Sequence, residues 1–154
     1  MADSNQSQNA FVCNPIELAW AAGFFDGEGN ARFRLNEEKR PQRSRSYGTF
    51  TIQIGQIDRG VLDRFQRAVG LGKINGPYTR KNGSHKDTTY FHYSAHGSTG
   101  EAAYTLIRPY LSSIKCAQGD EALLRYKESG IRPRLGNGHV RKKELAALAA
   151  NAAT

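Results

Sequence analysis

Cysteine is scarce in this chain: Cys13 and Cys116 are its only two, far apart and in no CxxC pair. Disulfide scaffolds need a denser framework and structural zinc needs paired ligands, so neither is expected. The scarcity suits an intracellular, reducing compartment, whether cytoplasm, nucleus or organelle. No apolar run reaches the about 18 residues of a membrane-crossing helix, so no membrane partner is expected. The polar stretch 1–9 lacks the basic-then-apolar order of a secretory signal, and 1–13 reads as a disordered tail. Acidic residues are also in deficit, with 14 Asp and Glu against 22 Lys and Arg and a net charge of +8. That imbalance favours a polyanionic partner, because neutralising phosphates releases counterions.

What is present fits one domain over 14–154, ending in a basic loop and short alanine-rich helix at 130–154. Asn14-Pro15-Ile16-Glu17 supplies an N-cap, a proline at the first helical position and an acid two residues on, so a helix starts there and runs to about Asp26. Ala19, Gly23 and Gly27 recur every four residues, with Ala22 beside them, a flat strip that a second backbone can approach. A helix tucked into its own core and a helix paired with a copy of itself both account for such a strip.

After Gly29 the apolar period changes to two. Asn30, Arg32, Arg34 and Asn36 alternate with Ala31, Phe33 and Leu35; beyond a basic turn holding Lys39, Arg40, Arg43 and Arg45, Tyr47, Thr49, Thr51 and Gln53 alternate with Phe50, Ile52 and Ile54. The resulting hairpin has one apolar face and one face suited to reading base edges and phosphates. Asp58 caps a helix to Val69. A second hairpin runs from about Lys73 to Tyr78 and from Thr88 to Ala95, with Lys73, Asn75, Thr88, Tyr90 and His92 on one side and Arg80, Lys81 and Lys86 in its turn. Ser98-Thr99-Gly100-Glu101 reads as a capping box for a helix to about Leu111, and another helix spans about Lys115 to Glu128. The order predicts an α+β fold with helices on the apolar face of an antiparallel sheet.

The run Ala21-Ala22-Gly23-Phe24-Phe25-Asp26-Gly27-Glu28-Gly29 resembles the signature of the LAGLIDADG homing endonucleases, with Glu28 where the motif has Asp. The resemblance covers most of 14–128 and implies an αββαββα core whose antiparallel sheet forms a saddle over double-stranded DNA. One motif, not two, implies a homodimer formed through the motif helices, with Ala19, Ala22, Gly23 and Gly27 at the interface. It further implies an intron-encoded enzyme that hydrolyses phosphodiesters of a long, roughly palindromic target with Mg²⁺. Glu28 and the Gly27 carbonyl match the family's metal ligands. Gln56 matches its catalytic-pocket glutamine, and Lys115 its active-site lysine; Asp26 admits both a structural hydrogen-bonding role and a ligand role and stands outside the catalytic set. The side chains with the parity of Asn30 and the turn cations are the DNA-facing set.

Two rivals stand beside this. Asp26, Glu28, Asn30, Phe33 and Glu37 fall at calcium-loop spacings, but the loop glycine is replaced by Ala31 and the strand alternation contradicts a wrapped loop. A non-cleaving relative, binding intron RNA as a maturase or DNA as a regulator, would share the helix strip and the basic sheet.

Overall fold

A computed structural model describes residues 13–40, 43–83 and 85–129, so the 130–154 segment and the 1–12 stretch lie outside the described residues. The elements run α1 (Pro15–Glu28), β1 (Gly29–Arg40), β2 (Arg43–Gln56), α2 (Arg59–Val69), β3 (Lys73–Asn82), β4 (His85–His96), α3 (Gly97–Ile107), a 3₁₀ turn (Arg108–Tyr110) and α4 (Ser113–Glu128). The strands form one antiparallel sheet of order β1-β2-β4-β3, two hairpins joined through their second strands. The fold is α+β, as the alternation of periods predicts.

Local signals set the helix starts. Asn14 Oδ1 accepts from the Ile16 amide at 2.9 Å, and Asp58 Oδ1 accepts from the Gly60 amide at 2.7 Å. α2 ends at Gly70, whose φ of 70° is the left-handed cap geometry that glycine adopts without strain. The expected capping box at Ser98–Glu101 is not formed. β4 passes directly into α3 at Gly97 (φ 59°), which puts Ser98 inside the first turn, and Glu101 instead pairs with Lys127 of α4 at 2.9 Å. α3 also stops at Ile107, four residues short of Leu111, because the chain tightens into the 3₁₀ turn at Arg108-Pro109. β3 and β4 reach beyond their expected ends, to Asn82 and from His85, so the outer hairpin is longer and its turn shorter.

The core lies between the sheet and the helices. Phe50, Ile52 and Ile54 of β2 and Tyr93 of β4 are fully buried against Phe25 of α1, Leu62 and Phe65 of α2 and Tyr104 and Ile107 of α3. Phe65 meets the Tyr93 ring edge-on at 4.8 Å, and Phe50 meets Tyr104 at 5.8 Å. A Cβ at Gly100 would lie 2.7 Å from the Ala95 carbonyl oxygen, so glycine there lets α3 lie directly on the sheet. Tyr104 donates to the Cys116 carbonyl at 3.0 Å and to Asp120 Oδ1 at 2.9 Å, and Arg108 closes the cluster with two bonds to Asp120 at 2.8 and 2.7 Å.

Truncating the central ring, Phe65→Ala, is expected to cost about 3–5 kcal/mol in denaturant unfolding, from lost burial plus a cavity. The bonds from Arg108 and Tyr104 hold the Asp120 carboxyl below its ordinary value, with burial opposing. A carboxyl depressed in the folded state stabilises above its unfolded pKa of about 4, and that contribution is lost as pH falls through the folded value. Stability should therefore fall less steeply with acidification below about pH 4 in Asp120→Asn than in the parent, measured by urea titrations across pH.

Candidate active site and nucleic-acid interface

α1 is apolar on both sides. Leu18, Ala21, Ala22 and Phe25 are buried, while Ile16 is 76% exposed and Ala19, Gly23 and Gly27 lie open on the opposite side. A Cβ built at Gly23 or at Gly27 would meet nothing within 4 Å. Ala22 is a correction to the expected strip: with 0% exposure it belongs to the protomer's own core, because it lies 100° round the helix from Gly23. The open side opposite the core is thus an apolar strip, with the ion pair of Glu17 and Arg64 set apart from it.

The helix ends at Glu28, and the chain turns into the sheet at Gly29, packed so closely on the Phe25 ring that no Cβ fits. Asp26 turns sideways to α4. Its carboxylate accepts from the Ser112 amide (3.0 and 3.2 Å) and from the Ser112 hydroxyl (3.0 Å). Ser112 is itself the N-cap of α4 and accepts from the Lys115 amide at 3.4 Å. One turn into α4, Lys115 Nζ donates to the Gly29 carbonyl at 2.5 Å, with the Phe25 ring 5.9 Å from the ammonium. Asp26 is thus the structural residue of the acidic pair, and Lys115 is brought to the motif's end. Glu28 is exposed and has no ion-pair or hydrogen-bond partner among the described residues.

Gln56 is the last residue of β2, two beyond Ile54, whose partner is Gly29. It sits at the same end of the sheet, half-buried, with no hydrogen bond to Glu28 or Lys115 among the described residues. No group of three carboxylate, histidine or cysteine side chains that could hold a metal occurs within the described protomer. The donors that are present at the motif's end, the Glu28 carboxylate and backbone carbonyls, are hard oxygens of the sort Mg²⁺ takes. They fit that ion if a second copy completes the set.

The sheet's other face carries the polar side chains. Cross-strand pairing aligns Asn30 with Gln53 and Ser94, Arg32 with Thr51 and His96, Arg34 with Thr49, and Asn36 with Tyr47. Lys73 and Asn75 continue it on β3, and Tyr90 and His92 on β4. Arg32 donates to Gln53 Oε1 at 2.8 Å, and Asn36 to Thr49 Oγ1 at 3.0 Å. Arg32, Arg34, Lys73, Arg80, Lys81 and Lys86 are exposed. Lys39, Arg40, Arg43 and Arg45 fall in the paired strands, but their side chains lie outside the described residues, as do the further cations beyond position 129.

Thr51 is a second correction. It has the outward parity but only 5% exposure, because Arg32 and His96 flank it across the sheet and its hydroxyl is bonded to His96 Nδ1 at 3.0 Å. Burial, and then the neighbouring Arg32 charge, push the His96 imidazole below its ordinary pKa, so it is neutral at pH 7. Ser94, His96 and Tyr78 were missed by the sequence reading. Extending the period of two from His92 would have found the first two; a strand irregularity hid the third.

No protein-family model and no curated protein matches this sequence. Solved structures do. A DNA complex of the homing endonuclease I-CvuI superposes with TM-score 0.54 at 20% identity, covering 90% of this chain and 80% of that one; a second I-CvuI complex gives 0.55 at 19%. The LAGLIDADG homing endonuclease I-LtrWI, bound to its target DNA, gives 0.53 at 14%, covering 86% of this chain and 42% of that one. The architecture is thus the one that these solved structures share. This chain has the LAGLIDADG homing-endonuclease fold.

Asp26→Ala removes the carboxylate that holds Ser112, the N-cap of α4, and should lower stability by about 1–2 kcal/mol in denaturant unfolding. The neighbouring Glu28→Gln, lacking any bond to lose, should stay within about 0.5 kcal/mol of the parent.

Proposed function

We propose that the chain is a homodimeric, metal-dependent endonuclease that cuts a long, roughly palindromic DNA duplex at a specific site. The observation that carries this is that the Lys115 ammonium is held on the Gly29 carbonyl, next in sequence to Glu28, a carboxylate without a partner among the described residues. That end adjoins the face bearing Arg32, Arg34 and Lys73.

In the dimer, the open strip of Ile16, Ala19, Gly23 and Gly27 faces its copy, which gives the apolar outer side of α1 its cover and brings the paired Glu28 carboxylates to the symmetry axis. Glu28 and the Gly27 carbonyl would hold Mg²⁺, which would supply positive charge against the charge that develops on the phosphoryl oxygens. Lys115 stabilises the leaving oxygen, its position fixed by the Asp26–Ser112 cap of its helix. The Gln56 amide orients the attacking water. Asn30, Arg32, Arg34, Asn36, Gln53 and Asn75 read base edges, and Lys73, Arg80, Lys81 and Lys86 hold phosphates.

A second reading, a non-cleaving relative that binds intron RNA as a maturase or DNA as a regulator, is favoured by the longer Glu28 side chain and by the bond that occupies Lys115. Both readings share the polar sheet; only cleavage needs the carboxylate.

The deciding experiment is a cleavage selection from a randomised duplex library with Mg²⁺, with EDTA and Glu28→Gln as controls. Discrete, symmetric, metal-dependent cuts are expected. Glu28→Gln should lose cleavage by on the order of a hundredfold or more while retaining specific binding. Parallel loss of binding and cleavage would sink the assignment, and retention of intron RNA without any cleavage would favour the second reading.

A further inference from the structure

The outer hairpin carries a cluster that phosphate or polar base-edge contact does not require. Alternation from Lys73 and Asn75 would put Pro77 on the polar face and Tyr78 against the helices. The register instead passes from Asn75 opposite His92 to Tyr78 opposite Tyr90, three residues on β3 against two on β4. This bulge reverses the parity and turns Tyr78 outward. Gly76, at φ 127° and with the Phe91 ring 3.0 Å from where a Cβ would lie, is the residue that permits it.

Tyr78, which is 45% exposed, thereby joins the half-buried Tyr90 and His92. The ring centroids lie 5.7 Å (Tyr78–Tyr90), 5.9 Å (Tyr78–His92) and 5.1 Å (Tyr90–His92) apart. The exposed cations Lys73 and Arg80 stand on either side along β3. The face therefore has charge for phosphates at both flanks and an aromatic pad between them.

Such a pad has one partner on the floor of a major groove. Donors and acceptors of guanine, adenine and cytosine edges go unpaired under ring carbon, whereas thymine, beside its O4 acceptor, alone offers a methyl group for the rings to cover. Stacking of an unpaired base is less well served. His92 meets Tyr78 at 81° and Tyr90 at 63°, so the rings cover one another edge to face and leave no pair of parallel faces for a base to enter.

We infer that Tyr78, Tyr90 and His92 form a specificity pad that selects a thymine in the outer part of each half-site through its 5-methyl group. The inference rests on the duplex-DNA reading above, and its test separates the two. Duplexes that bind the full chain are selected from a random library, and each thymine of the winner is replaced in turn by uracil, which removes only the methyl group.

One position per half-site should bind about fourfold more weakly as uracil. In Tyr78→Ala that thymine-to-uracil ratio should fall to one, while Tyr78→Phe should keep it; thermal melting of both variants checks the fold. If specific duplexes are selected but no position responds to uracil, or if Tyr78→Ala keeps the ratio, the pad fails and the DNA reading stands. If no duplex is enriched, both fail. If single strands bind more tightly than the duplex and lose that advantage in Tyr78→Ala, the rings hold an unpaired base and the inference is overturned.

Discussion

Two carboxylates at the C-terminal end of a helix sit where the helix dipole opposes them, and much of this molecule follows from how that cost is met. Asp26 is answered within the chain. It faces the N-terminal end of α4, where free amides and a positive dipole end are available, and takes the Ser112 amide and hydroxyl. The contact joins residues 86 positions apart and sets the axis of α4. From that axis Lys115 reaches the Gly29 carbonyl, and the rest of α4 lies along β1, where Arg125 covers the Phe33 ring at 5.2 Å. Glu28, the other acid, receives nothing comparable among the described residues.

The sheet divides the labour that the helix end begins. Its apolar face is filled by aromatic rings from α1, α2 and α3, and this rigid packing keeps the polar face flat in composition. Asn, Arg, Gln, Thr and Tyr side chains stand in register across the strands because cross-strand partners share a face. Pairs on that face then constrain each other. With its oxygen taken by Arg32, Gln53 offers mainly its amide hydrogens, and Thr51 spends its hydroxyl on His96. A surface that is ordered before a partner arrives loses less entropy when it binds.

Elements governed by local chemistry were legible in the sequence: the Asn14 and Asp58 caps, the switch of period at Gly29, and the order of helices and strands. For Asp26 the sequence left a structural and a ligand role side by side, and only the distant Ser112 distinguishes them. What could not be read depends on neighbours that are distant in sequence. Ala22 looks like part of a small-residue strip until the sheet and helices claim one side of α1. Thr51 has the outward parity, yet Arg32 and His96 close over it. Ser98–Glu101 matches a capping box, but Lys127 competes for the glutamate and Gly97 has already started the helix. The bulge at Gly76–Pro77 is hardest of all, since one extra residue inverts every later position on the strand.

The unanswered Glu28 and the uncovered side of α1 are one problem seen twice. The strip of Ile16, Ala19, Gly23 and Gly27 is apolar and small at Gly23 and Gly27, so another helix could approach it closely, as the proposed dimer requires. In the proposed dimer that cover brings two Glu28 carboxylates together at the axis. Like charges about 4 Å apart repel by about 4 kcal/mol even at an effective dielectric of 20, so the interface would oppose itself without positive charge between them. Lys115 cannot supply all of it while its ammonium remains on Gly29. A divalent cation held by Glu28 would supply it. Apolar cover for the helix and relief for the carboxylates then become the same requirement, met by one pairing of the chain with itself.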